Sequence, residues 1–254
     1  MKISFNYIFF SLWISLSSIC FADIGSATID NYKIMTEVAP PNNYMDNGKA
    51  SGFAVELLEL TLKEMKVNAK SPEFMPWSEA YKAVLVENNT MLFSMTRVEQ
   101  REDFFKWAGP ITANIISLVA PKSKNIKISN LKEAEKYIIG AMINDIGEQL
   151  LLNNNFPQEK IISTVDLTQT INNLKDGKTD MISWSQDSLF MQMEKEGINT
   201  NDYESVLVIH KGMLYYAFNK NTPDSLIQEF QMALDKVKQT DEFKKLLTKY
   251  KKSE

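Results

Sequence analysis

Along most of the chain the apolar positions follow one of two spacings, every second residue or every third to fourth. "NYKIMTE" (Asn31–Glu37) is a short strand-like run that enters the proline loop "APPNNY", and Asn47-Gly48 marks a turn beyond it. Ala54, Leu58, Leu62 and Met65 recur at helical spacing and predict an amphipathic helix over 54–65. Pro76-Trp77 opens a second helical segment over 78–86, and "MLFSM" (Met91–Met95) reads as a buried strand. Strand and helix alternate in this way when helices cross over the faces of a sheet, so the fold class is α/β.

The second part of the chain repeats the alternation. "ITANIISLVA" (Ile111–Ala120) is a long β-rich run, "YIIGAMI" (Tyr137–Ile143) a strand leading into a helix, and "TDMISWS" (Thr179–Ser185) another strand. Asp166 and Gln169 form a capping box for a helix with Ile171 and Leu174 inward, stopped at Gly177. After the β-rich "MLYYAF" (Met213–Phe218), Thr222-Pro223 supplies an N-cap with proline in the first turn. Leu226, Phe230, Ala233, Leu234 and Val237 then make the buried stripe of one helix. Phe243, Leu246, Leu247 and Tyr250 make that of a short last one. There is no internal repeat and no low-complexity linker, so a chain of two lobes must pass between them through ordered strands.

Composition adds a compartment. The opening "MKISFNYIFFSLWISLSSICFAD" places Lys2 before an apolar run, Tyr7–Cys20, with small residues for cleavage after Ala22, and predicts a secretory signal over 1–22. Cys20 as a lipoprotein anchor is the rival, but Ile19 is bulky for the residue preceding such a cysteine. The single cysteine of the 254-residue chain lies in this segment, so the exported product relies on its core rather than on disulfides. A net charge of −4 without a basic block argues against a nucleic-acid partner. One histidine, His210, no His/Cys cluster, no phosphate loop and no nucleophile elbow leave little for an enzymatic or metal-binding reading, and no cofactor is implied.

The chemistry concentrates in "MLFSMTRVEQREDFFKWAGP" (Met91–Pro110). Thr96-Arg97-Val98-Glu99 fits a capping box, which predicts a helix N-terminus directly after the strand, with free N–H groups that favour an anion. Arg101 follows one turn later on the face of Arg97, and a guanidinium can hold a carboxylate with two parallel hydrogen bonds. Ser94 and Thr96 flank the spot. The alternative is that both arginines are solvated and pair with Glu99, Glu102 or Asp103.

"SMTRVEQREDFFKWAGPI" resembles a segment of the family 3 extracellular solute-binding proteins, the periplasmic amino-acid receptors of ABC importers. "TEVAPPNNYMDNGKASGFAVELLELTLKEM", "PWSEAYKAVL", "LKDGKTDMISWS" and "TPDSLIQEFQMALDKVKQTDEFKKLLTKY" resemble other parts of that family in the same order. The resemblance implies a two-lobed periplasmic-binding-protein-like fold of type II. Two mixed sheets flanked by helices would be joined by two strand crossovers, "ITANIISLVA" and "MLYYAF". Lobe one would be 23–113 with 214–254, and lobe two 114–213.

It further implies a monomeric periplasmic protein that closes on a small carboxylate-bearing solute, an amino acid, and delivers it to a membrane permease. By position, Arg101 matches the arginine that clamps the ligand carboxylate, Ser94 and Thr96 its polar neighbours, and Glu37 a contact to the ligand amine or side chain. Trp77 matches the aromatic wall, or is a plain core residue. Two departures stand out. Asp145, in "NDIGEQ", occupies a helix start and forms a capping box with Glu148; it is either a cap alone or part of the site. The usual acid that meets the ligand ammonium is replaced by Ser185, and Asp187 either takes over that role or merely starts the next helix. A dehydratase-like enzyme on the same fold, with Glu37 or Asp187 as proton donor, and a ligand-sensing module for a membrane partner are the alternatives.

Overall fold

The computed structural model describes residues 28–68 and 70–252, and the signal expected over 1–22 lies outside them. The first apolar run forms β1 (Lys33–Thr36). A hairpin of β2 (Tyr44–Asp46) and β3 (Lys49–Ser51) comes after it, turning at Asn47-Gly48, where both residues have positive φ. Then come α1 (Phe53–Glu64), β4 (Glu73–Phe74), α2 (Trp77–Val86), β5 (Thr90–Thr96), β6 (Phe105–Ala108) and β7 (Ala113–Pro121). The next elements are α3 (Leu131–Ala134), β8 (Ile139–Met142), α4 (Ile146–Asn153), β9 (Ile161–Thr164), α5 (Leu167–Lys175), β10 (Met181–Ser185) and α6 (Gln186–Lys195). The 17-residue β11 (Tyr203–Asn219) precedes α7 (Asp224–Val237) and α8 (Asp241–Tyr250).

The main sheet runs β4-β1-β5-β11-β7-β10-β8-β9, with β6 also paired to β11. Its parallel pairs (β1 with β4 and β5, β8 with β9 and β10) are joined to antiparallel ones through β11 and β7. The two mixed sheets expected from the sequence therefore share one strand. Residues 203–213 of β11 pair with β7, and residues 214–219 with β5 and β6. The second passage, from β6 to β7, lies beside that change of partner. Ile111 N–H donates to the Leu214 carbonyl at 2.6 Å, and Leu214 N–H donates to the Thr112 carbonyl at 2.8 Å.

Apolar burial follows the predicted stripes. Leu226, Phe230, Leu234 and Val237 of α7 and Phe243, Leu246 and Leu247 of α8 close over α1 and the inner faces of β5 and β11. A separate cluster of Leu118, Ile139, Leu151 and Met181 fills the other half. A third cluster spans both halves, joining Met35 and Trp77 to Met142, Leu167 and Trp184. Of the local caps, Asp166 accepts from Gln169 N–H at 2.7 Å as expected. Thr222 does not cap α7. Pro223 holds that position, and the Thr222 hydroxyl instead accepts from the Tyr32 hydroxyl at 3.2 Å. The Thr222 hydroxyl is taken by a partner 190 residues away, so the tertiary contact displaces the local one.

Helix α4 lies against β10 through Gly147, where an added Cβ would fall 2.1 Å from the Ser183 carbonyl oxygen. Gly147→Ala is expected to push α4 off the sheet and to cost about 1–3 kcal/mol of stability, the usual range for overpacking. Urea unfolding of the two proteins measures it.

Candidate functional site

The site begins where β5 departs from regular pairing. Met95 pairs with Tyr215 and Phe93 with Tyr216, so Ser94 is the extra residue of a bulge, with φ +62. A bulge re-aims the side chains beyond it, and a non-glycine residue at positive φ is held there against a local cost. The Ser94 Oγ is buried with no partner.

The capping box expected at Thr96 is not formed. Thr96 is still paired with Leu214, and Arg97 N–H donates to the Met213 carbonyl at 3.2 Å, so the backbone stays extended to Val98. The chain then turns into a six-residue 3-10 helix, Glu99–Phe104, with no side-chain cap. The Thr96 hydroxyl accepts instead from Asn114 Nδ2 at 3.0 Å. Sheet pairing thus overrides the local cap, and no α-helix N-terminus is available to an anion at this point.

The two arginines part company for the same reason, since Arg97 lies outside the 3-10 turn. Arg97 is on the surface, paired with Glu102 and stacked over the rings of Trp107 and Tyr215 at 5.6 and 5.1 Å. Its bond to Glu102 raises its pKa and lowers that of Glu102. Arg101 is only 1% exposed. Its guanidinium carbon is 5.4 Å from the Trp77 ring and 5.2 Å from that of Tyr81. Its Nε donates to Gln149 Oε1 at 3.0 Å, Nη1 to the Thr96 carbonyl at 3.2 Å, and Nη2 to the Asn144 carbonyl at 3.4 Å. Burial lowers its pKa, while Asp145, Tyr81 and Glu37 act in the opposite direction.

Asn144 and Gln149 belong to the other half of the sheet. Asn144 sits between β8 and α4 at φ +59, and its carbonyl also accepts from Trp77 Nε1 at 2.8 Å and Gln149 Nε2 at 2.9 Å. One peptide oxygen thereby ties Trp77 and Arg101 of the first half to the start of α4. Asp145 caps α4, its Oδ1 accepting from Gly147 N–H at 3.2 Å. The Glu148 carboxylate bonds the N–H of Asn144, one residue earlier than a regular capping box, at 2.6 Å. Asp145 caps α4 and also lines a cavity on the seam between the halves.

Around this cavity, of about 20 Å³, Glu37, Asn42, Trp77, Ser94, Thr96 and Arg101 from the first half meet Asn114, Asp145 and Ser185 from the second. That is room for about one water. Six of the seven predicted residues are therefore together. Trp77 is at once a wall and a core residue, 2% exposed. The seventh, Asp187, is exposed and does not line the cavity. Strand β10 stops at Ser185, and the first turn of α6 carries Asp187 outward instead of continuing its face. Ser185 Oγ donates to Asn114 Oδ1 at 2.6 Å. A second cavity of about 250 Å³ shares Glu37 and Trp77 with the first and is walled mainly by apolar residues of both halves.

The electrostatics are those of three buried acids, Glu37, Asp145 and Glu148, around one buried cation, Arg101; Glu148 also raises Asp145 and is itself held by the Asn144 N–H and the Ser163 hydroxyl. Burial pushes the Glu37 carboxyl well above its ordinary pKa, Asp145 adds to the rise, and Arg101 opposes it. Burial also raises Asp145, against the pull of Arg101 and the N–H groups of α4. The sequence reading missed Asn42, Tyr81, Asn114, Asn144 and Gln149. The only signal for Asn144 was its place in a turn-forming Asn-Asp pair.

An α/β fold whose two halves share β11 and are crossed twice by the chain is the type II periplasmic-binding-protein fold. The chain belongs to the bacterial extracellular solute-binding proteins, family 3, whose sequence pattern matches residues 32–253. Three solved structures show the likeness. The arginine-, lysine-, histidine-binding protein ArtJ from Geobacillus stearothermophilus is 16% identical, with a TM-score of 0.72 over 86% of this chain and 94% of its own. An ABC uptake transporter substrate-binding protein from Streptococcus pneumoniae, with bound histidine, is 15% identical, with a TM-score of 0.75 over 87% and 92%. A histidine kinase sensor domain is 17% identical, with a TM-score of 0.74 over 87% and 97%. No curated protein matches the sequence. Among the described residues no helix is long and apolar enough to cross a membrane.

Proposed function

We propose that this chain is the exported, periplasmic binding component of an ABC importer. It takes up a small solute of the amino-acid class by closing two lobes, 23–113 with 214–254 and 114–213, over the cavity at Arg101. The observation that carries this reading is the cluster of Glu37, Asp145 and Arg101, buried together where the two halves of the sheet meet. Buried charge of this kind costs stability unless it is paired, and a guest that completes the pairing offsets that cost. The acid missing at Ser185 is supplied by Asp145 from the facing helix start, so an ammonium has a partner. Arg101 retains N–H groups beyond those held by Gln149, Thr96 and Asn144, and these are what remains for a guest's carboxylate. A cavity of about 20 Å³ admits such a guest only after the lobes part, and the paired passages at Thr112 and Leu214 are the hinge.

A second reading, a sensing module that reports to a membrane partner, draws support from the likeness to a histidine kinase sensor domain. It shares the same binding step and differs only in what the closed form docks against. Thermal unfolding in the presence of amino acids, amines and simple organic acids tests the binding step. A ligand at about 100 times its Kd should add about 2.7 kcal/mol of stability. The same mixtures, assayed for chemical change, should show none. Turnover of a cyclic carboxylic acid would instead put the raised Glu37 carboxyl to work as a proton donor.

A further inference from the structure

The protein's own contacts around the cavity are unequal in kind. On the donor side stands Arg101, with Nε, Nη1 and Nη2 each donating to a protein oxygen and the Trp77 and Tyr81 rings, 5.8 Å apart, packed beside its guanidinium. On the acceptor side, Glu37 and Asp145 are 8% and 3% exposed, and neither lies within ion-pair distance of any cation among the described residues. Asn42, 5% exposed, lines the same cavity, and its Oδ1 has no partner; the Ser94 Oγ is likewise unbonded. The helix start facing Arg101, where a guest anion could have been held, already carries the Asp145 carboxylate. Glu148, also buried, lies outside the lining and is held by the Asn144 N–H and the Ser163 hydroxyl; of the charges that line the cavity, Glu37 and Asp145 when ionised outnumber Arg101 by one, and a single added positive charge balances them. A zwitterion brings a third carboxylate with its ammonium and leaves the excess negative charge in place.

From this imbalance, and resting on the reading given under Proposed function, we propose that the guest is a cationic amine that needs no carboxylate. Its ammonium sits among Glu37, Asp145 and the Asn42 oxygen, and its carbon arm extends past Trp77 into the adjoining cavity of about 250 Å³. That cavity is walled by Phe74, Met75, Met142, Val165 and Leu167, and moving an apolar arm there from water is favourable. Arg101 serves as the resident countercharge for the two acids and as the tie between the halves. The guest's charge is read by the acceptors.

The experiment is calorimetric titration of the full chain with amino acids and the amines obtained by removing their carboxyl group: leucine against 3-methylbutylamine, phenylalanine against phenethylamine, and arginine against agmatine. The expected result is that 3-methylbutylamine or phenethylamine binds as tightly as its parent amino acid or more tightly, and loses about 30-fold or more in affinity on Asp145→Asn. An amino acid that binds about tenfold or more tightly than its amine in every pair overturns this inference while leaving the Proposed function standing. Binding confined to arginine and agmatine overturns the apolar arm. Failure of both members of all three pairs overturns the inference, and the wider thermal-unfolding series under Proposed function decides that reading separately. Asn42→Ala, which leaves Glu37, Asp145 and Arg101 in place, should weaken the amine about tenfold or more, the loss of one hydrogen bond to a charged group. An unchanged affinity would remove Asn42 from the site and overturn the assigned seat.

Discussion

Arg101→Ala is expected to lower the stability of the ligand-free protein by about 3–5 kcal/mol, from three lost hydrogen bonds of a charged donor and from two buried carboxylates left without their nearest positive charge. The side chain is 1% exposed, and its removal abandons two carboxylates, Glu37 and Asp145, whose pKa values it now draws down. It also releases Gln149 Oε1 and the Thr96 carbonyl, and it removes one of the three donors to the Asn144 oxygen. Without the guanidinium the two acids hold their protons more tightly still in the folded state. The deficit should therefore be smallest in acid, where both acids are protonated in any case, and should widen as pH rises. Arg97→Ala, with its guanidinium on the surface and a single carboxylate partner, should change stability by about 1 kcal/mol or less. Urea unfolding at two pH values measures both variants. A loss under about 1 kcal/mol for Arg101→Ala would mean that the acids take up protons and need no countercharge.

Local chemistry does not distinguish these two arginines, and only the resemblance singles out Arg101. They lie four residues apart, both flanked by acids, and each fits either the clamp or the solvated alternative. What separates them is tertiary. Gln149 and Asn144 reach Arg101 across 48 and 43 positions of sequence, and Arg97 finds its acid five residues away. The helices were legible for the opposite reason. The stripes of α7 and α8 report burial against a core, and that burial decides where those helices lie. Local caps were legible only where no sheet bond or distant side chain competed for the same group. Asp166 kept its cap, Thr222 gave its hydroxyl to Tyr32, and Thr96 stayed in the ladder of β11.

The resemblance named Glu37, Trp77, Ser94, Thr96, Arg101 and Ser185, which line one cavity, and left Asp187 between a place in the site and the start of a helix; strand β10 ends two residues short of it, and it stands in the first turn of α6. Asp145 was readable as a cap from its place before α4. Its second position, on the cavity wall, follows from how the halves meet and has no local sequence signal.

Asp145→Asn should show the opposite balance, a protein that is more stable and binds less. Asparagine caps a helix about as well as aspartate, so the start of α4 keeps its bond to Gly147 N–H. The change deletes a buried negative charge whose desolvation outweighs the pull of Arg101, as the raised pKa records. The ligand-free variant should gain about 1–2 kcal/mol at neutral pH, part of the several kcal/mol that burying an ion costs, since Arg101 already offsets some of it. A carboxyl whose pKa is raised by folding favours the folded state while protonated and loses that contribution as pH rises through the raised value. The gap between parent and variant should therefore close as pH falls, because a protonated Asp145 and an asparagine carry the same charge.

Asp145 is also one cause of the rise at Glu37, so the remaining pH dependence of the variant should move toward the ordinary carboxylate range. Binding should follow the other sign. An ammonium guest prefers both acids ionised, so the parent should release protons on binding, and its affinity should fall as pH drops through the raised pKa of Glu37. Calorimetry in two buffers of different ionisation enthalpy reads the released protons directly. In Asp145→Asn that release should shrink, together with the affinity. A variant that gains stability yet binds as the parent does would make Asp145 a strained cap with no part in recognition, and would leave Glu37 as the ammonium's sole charged partner.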